Sequence, residues 1–264
     1  MRRAYSADPR PPGPTLRPST ATSGNDSTKT QEHITMSISI IGAGNVGLAL
    51  GQAFTQRGET VVYGVPEPAK YADAVAALGD KVRVTTTQEA IAASDTVILA
   101  VPYAAVSAIA QSVPDWQGKV LIDATNPLAP GLSGLLAGTT TSGAEELSKL
   151  ARGARVVKAF NTTGAENRAD SRYPQGMPMM PVCGDDAQAR QRAMTLATLI
   201  GFEAVDMGPL MAARYLEPFA MTCIHLAIKQ GQGRLANQKA NQKAPPSASF
   251  YACLTFVLDI RMLS

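Results

Sequence analysis

The chain has 264 residues, 45% of them hydrophobic, enough for one domain with a buried core and too much for a small disulfide-stapled scaffold. Net charge is +3, but residues 1–35 carry +2 of it and residues 234–264 carry +3, leaving the stretch between at −2. A slightly acidic body without a basic stripe excludes nucleic acid as the expected partner.

Three scattered cysteines (Cys183, Cys223, Cys253) and two histidines (His33, His225) have neither metal-ligand spacing nor an obvious catalytic arrangement. They point to a reduced, cytoplasmic protein. No apolar run reaches bilayer-spanning length, and no membrane association is expected.

Residues 1–35 are rich in Pro, Ser, Thr and Arg and poor in large apolar side chains, which predicts a disordered extension. From Met36 the pattern changes. Ile38, Ile40 and Ile41 make a buried strand that runs into glycine. A helix follows from Val46 to Thr55, with Val46, Leu50 and Phe54 on one face and Gly58 as its stop. Thr60–Tyr63 reads as the second strand, Tyr71–Leu78 as a helix and Val82–Val84 as a short strand.

Thr86 and Glu89 form a capping-box pattern for a helix through Ala93. Thr96–Val101 and Val120–Asp123 are strands that flank a helix from Ala104 to Ser112. A small-residue loop over 129–142 leads to a helix at Ala144–Leu150. Then come strands at Val156–Phe160 and Pro181–Cys183, a helix from Asp186 to Ile200 and a last strand at Phe202–Val205. A terminal helix spans about Leu210–Lys229. The alternation predicts an α/β fold: a Rossmann-type, doubly wound, mainly parallel sheet over residues 36–233 with a small C-terminal helical cap. Residues 234–264, with their tandem ANQK, a proline pair and an apolar run from Phe250 to Ile260, read as an atypical, poorly ordered tail.

Gly42-Ala43-Gly44-Asn45-Val46-Gly47 sits between the first strand and helix, the context in which a glycine-rich turn cradles a dinucleotide pyrophosphate. Gly42 serves the turn, Gly44 the approach of phosphate, and Gly47 the packing of helix on strand. The second strand ends in Val65-Pro66, without the acid that would grip a ribose diol. Lys70 can meet a 2′-phosphate as a point charge, so NADP(H) is favoured over NAD.

Further strand ends should line the same crevice: Val101-Pro102-Tyr103, Asn126-Pro127-Leu128 and Asn161–Ala165. No residue stands out as a general acid or base. Lys158 reads as a structural strand residue, and Asp185 or Asp186 as a helix cap. Hydride transfer between two rings needs alignment and exclusion of water more than a proton donor.

With these residues in view, the chain resembles the NADPH-dependent deazaflavin (coenzyme F420) reductases, whose N-terminal domain is similar to that of the pyrroline-5-carboxylate reductases. The resemblance rests on the glycine loop, on Lys158–Asn167, on Pro181–Asp186, and on Val205–Leu210 with Leu216-Glu217-Pro218. It implies hydride transfer between NADP(H) and a small planar redox substrate such as F420 or a flavin-like substitute. It further implies that Ala43–Val46 wrap the pyrophosphate, that Lys70 aids the 2′-phosphate, and that Tyr103, Leu128 and Ala165 border the cofactor. Asn161, Thr162, Pro209 and Leu210 would lie near the acceptor, and a homodimer is expected. Val65-Pro66 departs from the Ser-Arg of archaeal members, and the ANQK tail departs from the family's C-terminus. Two other readings compete: an imine reductase of the pyrroline-carboxylate type, and a non-catalytic NADP-sensing module.

Overall fold

Residues 37–164 and 177–231 are described by a computed structural model. Eight strands form one sheet in the order β3-β2-β1-β4-β5-β6-β7-β8. They are β1 (Ser37–Ile41), β2 (Thr60–Val65), β3 (Val82–Thr86), β4 (Thr96–Leu99), β5 (Val120–Asp123), β6 (Arg155–Lys158), β7 (Met179–Gly184) and β8 (Glu203–Asp206). Every neighbouring pair is parallel except β6 with β7, where Val157 faces Gly184 and Lys158 faces Cys183. The expected mainly parallel, doubly wound sheet is therefore present, and a reversed pair extends its last edge.

The strands inside the sheet are buried on both faces, while the edge strands β3 and β8 are partly exposed, so successive side chains of the inner strands feed two cores. Ile38, Ile40, Val61 and Tyr63 pack under α1 (Asn45–Thr55), α2 (Pro68–Ala76) and α6 (Ala187–Leu199). Ile41, Val62, Leu99 and Leu121 face α3 (Thr87–Ala93), α4 (Val106–Gln111), α5 (Gly143–Leu150) and α7 (Ala213–Ile224). The helices cap as their sequences suggest. Thr86 and Glu89 complete the capping box of α3, Ser142 caps α5, and Asp186 accepts from the Ala189 amide to cap α6.

One boundary differs in a way that matters. The second helix begins at Pro68, three residues before the expected Tyr71, because proline at a first helical position forfeits only an amide that has no partner there. Lys70 consequently belongs to the first turn of α2. The terminal helix is also segmented: a single 3₁₀ turn at Leu210–Ala212, then α7 with Pro218 inside it, then a wider turn at His225–Lys229.

Two close approaches fix α1 on the sheet. A Cβ on Gly51 would lie 1.7 Å from the Tyr63 hydroxyl, which is buried and donates to the Gly47 carbonyl at 3.0 Å. A Cβ on Gly64 would lie 2.7 Å from Ala90 and from Ile41. Substitution at either glycine would push a helix off the strands.

Candidate functional site

Between β1 and β4 the strand order reverses, and connections leave their strands on opposite faces. That divergence opens a crevice beyond the strands' carboxyl ends, where ligands of doubly wound sheets sit. The glycine turn lies at its centre. Gly42 has φ +105°, and its amide donates to the Gly64 carbonyl at 2.9 Å. A Cβ there would lie 2.4 Å from the Ala100 carbonyl oxygen. Gly47 has no room either, since its Cβ would stand 2.0 Å from the Gly42 carbonyl oxygen. Its tightest constraint is thus the turn itself, with Ile40 of the strand further off at 3.5 Å.

Gly44 is different. A Cβ there meets nothing within 4 Å, Gly44 and Asn45 are exposed, and no side chain caps α1. The first-turn amides and the positive end of the α1 dipole therefore face open space, without an acidic residue in that turn. This suits a pyrophosphate: donors and partial positive charge lie where the anion can approach closely. The glycine cradle fits a dinucleotide, and Ala43 to Val46 would hold its phosphates.

At the end of β2, Val65 is buried while Pro66 and Lys70 are exposed. The Lys70 ammonium lies 5.9 Å from the Tyr71 ring centroid, so its side chain has a hydrophobic neighbour and a charge open to solvent. On the other flank, Tyr103 and Pro127 converge on Gly143. A Cβ there would come within 2.8 Å of the Tyr103 ring and 3.5 Å of Pro127. Burial, then Glu217, raises the Tyr103 phenol above its ordinary pKa, so it stays neutral. Asn126 and Asn161 clasp each other: each side-chain amide donates to the other residue, at 2.9 and 3.0 Å. Leu128 pairs with Leu135 to close the following loop. Val101 is half-buried, Pro102 exposed, and Thr162 buried. Ala165 lies outside the described residues.

The Pro209-Leu210 turn lies beside the β6–β7 pair. Gly208 accepts from the Gly184 amide, and Gly184 stands level with Val157, four residues before Asn161. The Leu210 carbonyl stands 3.8 Å from the Cys183 Sγ, and Cys183 faces Lys158 on β6. Leu210 is buried in the core, its amide bonded to Asp185 at 2.9 Å, and Pro209 is exposed. Of the expected acceptor residues, Asn161 and Thr162 stand at the crevice, and Leu216 reaches them, its carbonyl accepting from Asn161 at 3.3 Å.

A family profile described as NADP oxidoreductase, coenzyme F420-dependent, matches residues 37–127. F420-dependent NADP reductase of Methanothermobacter marburgensis is 33% identical over 210 residues, covering 74% of this chain and 93% of that one. The chain belongs to the F420-dependent NADP reductase family. It is an NADP-dependent oxidoreductase with that family's Rossmann architecture. A putative F420-dependent NADP reductase structure from Arthrobacter superposes with a TM-score of 0.67 at 26% identity, covering 75% of this chain and 96% of that one. Metalloreductase STEAP3 of Rattus norvegicus is 29% identical over 181 residues, and those span 68% of this chain but only 35% of that relative.

Within this family member the sequence reading missed one arrangement. Lys158, Asp123 and Glu217 are fully buried together. The Lys158 ammonium donates to Asp123 Oδ2 at 2.9 Å, to the Thr125 carbonyl at 2.8 Å and to Glu217 Oε1 at 2.8 Å. Glu217 also accepts from the Gly143 and Ala144 amides at 2.8 and 3.1 Å, and Asp123 Oδ1 from the Thr125 amide and hydroxyl at 2.9 and 2.7 Å. Burial alone would lower the Lys158 pKa, but the two carboxylates outweigh it and hold it above its ordinary value. A lysine inside an apolar strand and an acid next to a helical proline were the available signals, but their partners are 35 and 59 residues apart in sequence.

Proposed function

We propose that the protein carries hydride between NADP(H) and a planar redox acceptor, a deazaflavin such as coenzyme F420 or a flavin-like substitute. The observation that carries this reading is the continuity of the uncapped, exposed glycine turn with a polar crevice wall at the ends of β5 and β6. Bound NADPH supplies the hydride; the chain's own residues bind, orient and exclude water. Gly42–Gly47 would hold the pyrophosphate, and Lys70 the 2′-phosphate as a point charge. Tyr103, Pro127 and Asn126 would wall the nicotinamide half.

Asn161 supports an acceptor at the far side of that wall. Its Nδ2 is committed to Asn126 and Leu216, which fixes the orientation of the amide, and its buried Oδ1 has no hydrogen-bond partner. A buried acceptor left unpaired costs about 1–3 kcal/mol, which a ligand N–H would offset. Direct hydride transfer asks these residues for alignment and exclusion of water. In this reading residues 36–233 are the catalytic unit, and the protein works as a homodimer built on α7 and the 3₁₀ turn before it, where Tyr215 and Met211 are exposed.

The test is a titration of purified protein with NADPH and NADH, followed by an acceptor screen with F420, FMN and a cyclic imine. Tighter binding of NADPH with turnover on F420 or FMN is expected. Preference for NADH, or turnover on the cyclic imine alone, would overturn the assignment.

A further inference from the structure

The buried ion triad has no evident reason to exist for stability. Taking three charges out of water is costly, and apolar replacements of buried ion networks are often neutral or stabilising. What distinguishes this network is what it touches. Lys158 ends β6 and grips the Thr125 carbonyl; Asp123 ends β5 and binds Thr125 twice. Glu217 belongs to α7 and holds the first two amides of α5, while its neighbour Leu216 accepts from Asn161. Asn161 in turn clasps Asn126, the residue after Thr125. The three charged groups and the bonds around them therefore tie α7, the start of α5, Thr125-Asn126 and Asn161 into one hydrogen-bonded body.

Backbone strain lies at the same place. Phe160 is not a glycine, yet has φ +61°, a left-handed conformation that is costly for a bulky aromatic side chain. It directly precedes Asn161, and Lys158 lies two residues before it. Its ring is held edge-on against Phe54 with centroids 6.4 Å apart, and its amide is directed at the Met180 sulfur. Strain of this kind persists only where the surroundings over-determine it.

The dinucleotide has two halves, and the sheet divides them. The adenosine ribose of a doubly wound site faces the end of β2, so the nicotinamide half extends the other way, over β4, β5 and β6. The pyrophosphate and adenosine side rests on β1, α1 and α2, none of which the triad touches.

We infer that Lys158, with Asp123 and Glu217, is a positioning network that fixes the crevice wall against the nicotinamide half of the cofactor and leaves the adenosine half untouched. This rests on the NADP-dependent reading above. The residues act through Thr125, Asn126 and Asn161 rather than by contact with the reacting atoms. Misplacement of a positioning group by about 1 Å can cost a hundredfold in rate, so a wall held by three buried charges has a functional use that stability does not supply.

The experiment compares two ligands on the full chain. NADPH presents both halves, whereas 2′,5′-ADP presents only the phosphorylated adenosine half. Glu217→Gln should weaken NADPH roughly tenfold while the dissociation constant of 2′,5′-ADP stays within about twofold. The fluorescence anisotropy of bound NADPH should fall as its nicotinamide is released from the wall. Because Glu217→Gln leaves the Lys158–Asp123 pair buried without its third member, an uncharged replacement, Asp123→Asn with Lys158→Met and Glu217→Gln, which keeps an oxygen acceptor for the Gly143 and Ala144 amides, keeps the test open if the single variant fails to fold. That variant should melt near the wild type and show the same split between the ligands. Parallel losses of both ligands, or no loss of either by a folded variant, would overturn the positioning role. Failure of wild-type protein to prefer NADPH over NADH would instead count against the NADP reading, and the two results are separable.

Discussion

Gly44 and Gly47 are three residues apart in one turn, and replacing each with alanine should produce opposite kinds of defect. At Gly47 the new methyl would stand 2.0 Å from the Gly42 carbonyl oxygen. That oxygen cannot retreat freely, because Gly42 is held by its bond to the Gly64 carbonyl and crowded by Ala100. Relief to an ordinary contact needs a displacement of about 1 Å, comparable to inserting a methylene into a packed core, which costs about 1–3 kcal/mol. Gly47→Ala should therefore lower stability and NADPH affinity together. At Gly44 the methyl enters open space at φ −82°, a backbone any residue adopts, so stability should change by less than about 1 kcal/mol, the modest preference of a helix start for glycine over alanine. The same methyl would occupy the approach to the phosphates and should weaken NADPH about ten- to hundredfold, the equivalent of one or two lost hydrogen bonds to charged groups. Urea denaturation and NADPH fluorescence titration of both variants decide the matter. A Gly44→Ala protein that binds NADPH as the wild type does would refute the cradle.

Lys70→Ala should weaken NADPH more than NADH by about tenfold, and equal losses in titrations of the two would place Lys70 away from the 2′-phosphate. The Arg214 guanidinium forks onto Glu145 at 2.7 and 2.8 Å and, with Ser142, holds its carboxyl below the ordinary range. A depressed carboxylate stabilises the fold above its unfolded pKa and loses that contribution as pH falls through its folded pKa. The gap in denaturation midpoint between wild type and Arg214→Ala should therefore be present at pH 7 and shrink in acid; a gap that is independent of pH would contradict the pairing. Burial pushes the Cys183 thiol up to about 12, so alkylation at neutral pH, followed by peptide mapping, should leave Cys183 unmodified until urea is added. Met211→Glu combined with Tyr215→Glu should convert a dimer to a monomer in light scattering, and a monomeric wild type would remove α7 as an interface.

The parallel sheet was legible because β1, β2, β4 and β5 announce themselves as short apolar runs between helix signals, β3 alternates Val82 and Val84 with Arg83, and the capping residues Thr86 and Asp186 mark helix starts by their own chemistry. The glycine turn was legible for the same local reason. Orientation at the far edge was not. Whether β7 runs with or against β6 depends on a connection that no local periodicity describes. The direction of β7 also brings the Leu210 amide to Asp185 and its carbonyl beside Cys183. Lys158 illustrates the other limit. Its place in a strand was readable, but its meaning depends on Asp123 and Glu217, which only the closed fold brings within 3 Å.

The Tyr63 hydroxyl occupies the space that Gly51 leaves empty. The two positions are therefore one coupled choice. A relative that carries any side chain at the position of Gly51 must give up the tyrosine at that of Tyr63 and accept a smaller residue. The substitutions should be found together in a lineage, or not at all.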